Sequence, residues 1–259
     1  MYTTLTADDF RRTLKLPKDY SVSGLLACGV WDLYAEERHL PHFRKAVADL
    51  GVTCAIKRFE DVDLGHAFEL TCNDKKYWYV PVMGTAMMAA YAHFASILGS
   101  KKNILMGVVG GLAPGIKPAD FVLPTATLGN DNALKYQPEA KDKMFYPDQD
   151  LYQRLKRAIP ADQKVWEGKT MTCESILAET AEDVQNWSGE GYLGVEMETA
   201  LMFALSRFFH IPAAAILYVS ENLIGGETLL HQSHEHTKPK REESRRIQYQ
   251  AALRELLAS

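Results

Sequence analysis

Six short apolar runs recur along the chain, separated by stretches with helical spacing, and this alternation restricts the fold more than any other feature. The runs are "SGLLACGV" (23–30), "VTCAIKRF" (52–59), "KYWYVPVM" (76–83), "NILMGVV" (103–109), "DFVLPTA" (120–126) and "PAAAILYVS" (212–220). Each has strand length, and most lack the polar alternation of a strand with one wet face. Helices are predicted over 33–50, 85–99, 149–158, 197–209 and 241–257, the last carrying Ile247, Ala251, Leu253 and Leu256 at near-helical intervals. Strands that alternate with helices and are buried on both faces define an α/β layer fold. The 259 residues suffice for one large α/β domain. No internal repeat or low-complexity linker interrupts them, so a single domain over 1–259 is expected, with 1–22 as an N-terminal extension.

Charge and cysteine content exclude several classes. A formal net charge of −4 leaves no electrostatic footprint for nucleic acid. The basic run "KPKREESRR" (238–246), interleaved with Glu242 and Glu243, reads as a solvated helix face. Cys28, Cys54, Cys72 and Cys173 form no C-x-x-C pair and read as free thiols in a reducing compartment. With no apolar leader and no run of 18 apolar residues, a cytoplasmic protein without a membrane partner is expected. His231, His234 and His236 in "HQSHEH" lack a fourth ligand, so no metal is expected.

The stretch "LMGVVGGLAPG" (105–115) places bare backbone at the end of a buried strand. It reads G-x-x-G-G rather than G-x-G-x-x-G, and "IKPADFVLP" continues into a turn and a strand instead of a helix, so it is not a dinucleotide fingerprint. No G-K-[ST] follows, which excludes a P-loop. Acids gather elsewhere at strand ends. "GYLGVEMETALMFALSRF" (191–208) sets Glu196 and Glu198 around Met197 where a short strand enters a helix, and "AAAILYVSENL" ends in Ser220 and Glu221. Carboxylates beside apolar sequence must be paired, used in chemistry, or spent on capping the helix. Two long loops, 129–149 and 221–239, have the length of lids or binding loops.

In order, "VPVMGTAM" (80–87), "ILMGVVGGLAPGIKPADFVLP" (104–124), "GVEMETA" (194–200) and "YVSENL" (218–223) resemble the nucleoside phosphorylase family. The branch in question contains hexameric purine nucleoside phosphorylases, uridine phosphorylases, and methylthioadenosine/adenosylhomocysteine and AMP nucleosidases. The resemblance covers about residues 23–257 and is most specific at V-E-M-E-[ST]-A. It implies a three-layer α/β/α sandwich around a mixed, partly barrel-like sheet, active as a homodimer or a hexameric trimer of dimers. It also implies cleavage of the N-glycosidic bond of a nucleoside, with no cofactor and with inorganic phosphate as co-substrate in the phosphorylases.

Carried over by motif, Glu198 would accept hydrogen bonds from the ribose 2′- and 3′-hydroxyls. Met197 would pack on the sugar, and Glu196 would frame the pocket. The backbone of Gly29, Val108, Val109 and Gly110 would pass close to the ligand beside Ser220. Glu221 stands where purine-cleaving members have an Asp that meets the purine N7, which favours a purine and a general-acid role. Three positions depart from the phosphorylase pattern. Leu33, Leu105 and Val108 are apolar where an Arg, an Arg and a hydroxyl would hold phosphate. Hydrolysis is therefore preferred, with Asp32 in "CGVWDLYAEE" as the acid nearest the position that orients water; Asp32 reads equally as a helix N-cap. Lys57, Arg58 or Arg38 are other sources of positive charge. A phosphate-dependent phosphorylase and a non-catalytic nucleoside-binding protein remain the alternatives, and the failed fingerprint disfavours a nicotinamide oxidoreductase.

Overall fold

Three strands pair with β5 (Asn103–Gly111), which makes it the hub of the sheet. The computed structural model describes residues 4–31, 35–59, 64–228 and 233–258. Parallel to β5 on one side runs β1 (Gly24–Gly29), and parallel on the other runs β10 (Ala213–Asn222). Near its C-terminal end β5 also pairs antiparallel with the short β9 (Gly194–Glu196). From β10 the sheet continues through β6 (Phe121–Leu128) and β8 (Val165–Thr172) back to β9. These five strands close a circuit, and beyond β1 an open wing adds β4 (Lys75–Val82), β3 (Phe68–Cys72) and β2 (Cys54–Arg58). A two-residue strand, β7 (Met144–Phe145), hangs on β6, and the one-turn helix α4 (Asp131–Leu134) lies between them in the chain. The fold is the mixed, partly barrel-like α/β sheet expected from the resemblance.

Helices cover both faces of this sheet. On one side α2 (Ala35–Asp49), α5 (Gln149–Ala158) and α8 (Ser233–Leu257) pack their apolar residues on the strands, with Phe43, Leu155 and Leu253 fully buried. On the other lie α1 (Ala7–Thr13), α3 (Gly84–Ile97) and α7 (Thr199–Phe208), whose core includes Met88, Leu201 and Leu205. A smaller cluster of Val109, Val122, Leu217 and Val219, with Trp166 and Leu193 against it, fills the space inside the closed circuit. At the amino ends of the parallel strands, the buried amide of Asn103 donates to Ser96 of α3 (3.3 Å) and Ser206 of α7 (2.9 Å). That network ties two helices to the hub strand without leaving the amide unsatisfied. Among the described residues, no helix is long and apolar enough to cross a membrane.

All six apolar runs become strands, and "YWYV" (77–80) is core, as its composition requires. The elements missed are those with weak patterning. In "VWEGKTMT" of β8 polar residues and Gly168 interrupt the apolar positions, and the strand exists because β6 and β9 pair with it on either side. "FELTC" of β3 does alternate, with Phe68, Leu70 and Cys72 inward, but only over five residues. The C-terminal helix begins earlier than expected, at Ser233, and carries Pro239 within its length.

The reading of four free thiols needs correction. Cys54 and Cys72 are disulfide-bonded; Cys28 and Cys173 are free. A separation of 18 residues hides that β2 and β3 form an antiparallel pair in which these two cysteines are directly opposite, with Cα atoms 4.5 Å apart. That spacing is the close approach of a non-hydrogen-bonded pair. Cysteine usage therefore no longer argues for a reducing compartment.

Closing the circuit brings β9 tightly onto β5. A Cβ on Gly194 would lie 2.5 Å from Val109 Cγ2 and 2.9 Å from the carbonyl oxygen of Gly110. Gly194→Ala is expected to cost about 1–3 kcal/mol, the usual penalty of forcing atoms into a packed core, as a lowered urea midpoint with an unchanged slope.

Candidate active site

The carboxyl ends of β1, β5 and β10 meet the β9–α7 junction around a small central cavity of about 50 Å³. Its walls include Gly29, Val108, Gly110, Glu196, Met197, Glu198, Ser220 and Glu221. Ligands of parallel α/β sheets collect at such strand ends. Adjacent strand residues normally face opposite sides, yet Ser220 and Glu221 both reach this cavity. The cause is a bulge. Val219 pairs with Val109 and Glu221 with Gly110, so Ser220 is one residue extra on β10. Bulges re-aim side chains in this way beside functional sites.

Glu196 and Glu198 are both buried and wired differently. One carboxylate oxygen of Glu196 accepts from the backbone N–H groups of Glu198 (2.7 Å) and Thr199 (2.6 Å), while the other accepts from the Thr172 hydroxyl. The same hydroxyl accepts from Ala200 N–H at 3.0 Å. Glu196 and Thr172 thereby satisfy amide groups that the first turn of α7 would otherwise leave orphaned. Glu196 is an anchor, the capping role that its position allowed. Glu198 turns the other way, and its Oε1 accepts from Gly84 N–H at 2.5 Å, at the first residue of α3. Burial, and then the Glu196 carboxylate, push Glu198 up to about 8. Burial also raises Glu196, but hydroxyl and backbone donors act against it, so a proton shared by the pair resides on Glu198.

Glu221, at the end of β10, is 7% exposed, and its Oε2 has no hydrogen-bond partner. Burial raises its carboxyl to about 7, opposed by hydrogen bonding from Ser220 and by the charge of Arg241. A half-protonated carboxyl near neutrality, with an oxygen left open in a cavity, suits proton donation to a ligand.

Two larger compartments flank the centre. On one side an apolar slot of about 560 Å³ runs between the end of β10 and α6 (Ala181–Gly189), lined by Ile176, Val184, Val195, Leu223 and Ile224, with Glu221 at its inner end. On the other a recess of about 780 Å³ lies between α2 and α8 and shares Gly29, Val108 and Ser220 with the centre. Trp31 borders all three spaces. Sequence reasoning missed both flanks. The slot gave no signal beyond scattered apolar residues. The recess is lined in part by the basic run dismissed above as solvated: Arg241 is 7% exposed and Arg245 is half-buried.

Of the residues singled out in the sequence, eight share the central cavity. Val109 does not line it. Its side chain is buried inside the strand circuit, while its carbonyl accepts from the Ser220 hydroxyl at 3.3 Å. Asp32, Leu33 and His231 lie outside the described residues. Leu105 is core, 1% exposed, and does not face the cavity. Lys57 and Arg58 stand on the exposed β2, where Arg58 donates to the Gly65 carbonyl; Arg38 lines the recess. Cys173 donates to Glu179 at 3.2 Å, and burial raises its thiol, so it is not a nucleophile. No group of three or more metal-ligating side chains occurs among the described residues.

The glycines act mainly on packing. A Cβ on Gly107 would lie 3.0 Å from the carbonyl oxygen of Gly29, and one on Gly110 only 2.6 Å from Leu223 Cδ1. Bare backbone at 107 lets β5 approach β1, and at 110 it admits the side chain that walls the slot. Closest to the carboxylates is Gly29, where a Cβ would lie 2.9 Å from Glu198 Oε2.

Comparison with known proteins bears on this geometry. The family model described as the phosphorylase superfamily matches residues 58–256. A DeoD-type purine nucleoside phosphorylase of Caldanaerobacter subterraneus subsp. tengcongensis is 28% identical over 153 residues, covering 56% of this chain and 63% of that protein. One from Clostridium beijerinckii is 28% identical over 174 residues, covering 62% and 70%. The match thus spans about two thirds of the length of these curated relatives. A crystal structure of uridine phosphorylase from Vibrio fischeri ES114, complexed with 6-hydroxy-1-naphthoic acid, superposes with a TM-score of 0.73 over 92% of this chain and 93% of that one. At 16% identity the likeness speaks for the fold.

Glu221 has a folded-state value near 7, above the ordinary carboxyl value it regains on unfolding. Its contribution to stability is complete below the unfolded value and is lost as pH rises through about 7. The difference in melting temperature between Glu221→Gln and the parent should therefore grow in favour of the variant from pH 5 to pH 8.

Proposed function

Because the chain belongs to the phosphorylase superfamily, we propose that the central cavity holds the sugar of a nucleoside and that the protein cleaves the N-glycosidic bond. The observation that carries this reading is a pair of buried carboxyl groups, Glu198 and Glu221, on the walls of one small cavity, the second with an oxygen that has no hydrogen-bond partner. Glycosidic cleavage develops positive charge on the sugar and negative charge on the departing base. Catalysis requires groups that meet those charges as they form. Glu198, protonated in the empty cavity, accepts from the 2′- and 3′-hydroxyls, and these donors favour its ionised form, so that as a carboxylate it faces the developing cation, with Met197 against the sugar. Glu221, as the acid, gives its proton to the base as the C–N bond breaks. The apolar slot beside Glu221 accommodates a flat ring, and an acid at its inner end favours a purine, in keeping with the DeoD-type names of the relatives.

For the nucleophile we favour water. Val108 at the wall of the centre and Leu105 in the core bring no donor for phosphate there, and Asp32 is the acid we assign to orient the water. A homodimer or a trimer of dimers belongs to the same reading.

Purified protein incubated with purine and pyrimidine nucleosides, with and without phosphate, should release base from purine nucleosides and leave free ribose. Glu221→Gln is expected to lower kcat about 10²-fold or more, the usual loss when a general acid is removed. It should also abolish the fall of kcat/KM above about pH 7. Glu198→Gln should raise KM and lower kcat together. Ribose 1-phosphate formed only in the presence of phosphate would replace water by phosphate, and no base release under any condition would overturn the reading.

A further inference from the structure

Two threonines behind the central cavity decide which of the paired acids keeps a proton. Thr127 on β6 and Thr172 on β8 are 0% and 2% exposed, and their hydroxyl oxygens lie 3.3 Å apart. The Thr172 oxygen also accepts from Ala200 N–H at 3.0 Å and meets one oxygen of Glu196. Among the described residues the Thr127 hydroxyl has no other hydrogen-bond partner than Thr172. A hydroxyl has one hydrogen to give and two lone pairs with which to accept.

Only one arrangement of these groups leaves no hydroxyl hydrogen orphaned. Thr127 gives its hydrogen to Thr172. Together with Ala200 N–H this fills both lone pairs of the Thr172 oxygen, so the Thr172 hydrogen goes to Glu196. The other Glu196 oxygen already accepts from the N–H groups of Glu198 and Thr199. Every hydrogen-bond partner of this carboxyl is therefore a donor. A proton on Glu196 would leave a buried hydroxyl hydrogen without an acceptor, which is a costly state.

Glu198 has no such commitment. Its Oε1 accepts from Gly84 N–H, and its Oε2 lies on the Gly29 side, where a Cβ would stand 2.9 Å away. Two buried carboxyl groups this close do not both ionise readily, so the proton excluded from Glu196 resides on Glu198 Oε2. The other titratable groups beside the pair are Cys28 on β1, Cys173 just past β8 and Glu221 on β10. Burial pushes Cys28 up to about 11 and holds Cys173 well above the ordinary thiol range, so both are neutral at pH 7. Glu221 titrates near 7 and has to be separated from the pair by experiment.

We propose that Thr172 is a positioning residue of the site: it commits its hydroxyl hydrogen to Glu196, confines the proton of the pair to Glu198, and so makes the diol of a bound sugar expel that proton. The sugar hydroxyls donate to Glu198 and favour its ionised form, and the proton leaves to solvent. Binding of the sugar thereby creates the carboxylate that faces the developing cation. In the empty cavity the same charge would be buried without enough donors. The placement of the proton needs no ligand; its expulsion rests on the nucleoside-cleaving reading.

Two measurements on the full chain test this. At pH 7 without ligand, the infrared difference between the parent and Glu198→Gln should carry the C=O stretch of a protonated carboxyl. The same difference taken in Thr172→Val protein should be weaker by about half or more, because Glu196 then competes for the proton. Calorimetry uses a carbocyclic purine nucleoside, which keeps the 2′,3′-diol but lacks the ring oxygen that assists cleavage, in Glu221→Gln protein to silence the second acid. Repeated near pH 7 in buffers of different ionisation enthalpy, it should show release of about one proton per site, as a carboxyl pushed up to about 8 requires. Thr172→Val and Glu196→Gln should each cut the release to less than about half, since losing a charged hydrogen bond or a neighbouring charge shifts such a balance about tenfold or more. Thr172→Ser should restore it, and Thr127→Val, which leaves the Thr172–Glu196 bond in place, should keep most of it. A merely structural role for Thr172 would change affinity and leave the proton count alone. An absent infrared band, or a proton count unaltered by both Thr172→Val and Glu196→Gln, overturns the proposal. A band that Thr172→Val weakens, in protein that binds no nucleoside, upholds the placement of the proton and removes the cleavage reading.

Discussion

The seating of the Glu196 carboxylate on the first turn of α7 is the contact on which the site depends. A buried carboxylate is costly unless donors surround it, and here a hydroxyl and two backbone amides converge on it. That contact fixes where α7 begins and points Glu198, two residues on, toward Gly84 and the cavity. Two helix N-termini, those of α3 and α7, thus face two carboxyl groups, and the favourable dipole field of each offsets part of the burial cost. With one acid fully occupied, the other is left to respond to a ligand.

The remaining constraint is the sharing of β5 between two halves of the sheet. As it pairs with β1, β10 and β9 together, its carboxyl end collects residues from three elements within one small volume. The bulge at Ser220 adds a further residue to that volume by breaking the alternation of β10. Rigid strand ends, rather than loops, therefore hold the central cavity. The flanking compartments, in contrast, are built from helices: α6 walls the apolar slot, and α2 and α8 wall the cationic recess.

Electrostatically the cleft is graded. Apolar walls with Glu221 lie on one side, a carboxyl pair stands in the middle, and an excess of guanidinium charge lies on the other. Burial raises the carboxyl groups, so they bring less negative charge to the unliganded cleft near pH 7 than its composition suggests, while it keeps the His39 imidazole neutral.

By itself the sequence determined the fold class, because six apolar runs too short to be helices must be paired, and alternation with amphipathic segments leaves a layered α/β sheet as the solution. It also determined that acids stand at strand ends, since Glu196, Glu198 and Glu221 are contiguous with buried segments. Tertiary structure alone decided which acid does what. Glu196 and Glu198 are indistinguishable as letters, and only the positions of Thr172 and Gly84, distant in sequence, make one an anchor and leave the other facing the cavity. The Cys54–Cys72 bridge was invisible for a related reason: it depends on the register of β2 against β3, which is set by pairing rather than by the spacing of the cysteines. The basic run of α8 was legible as charge but not as site, because a helix shows the same sequence whichever face it presents. Here Gln248, through its bonds to Gly107 and Ile216, selects the face.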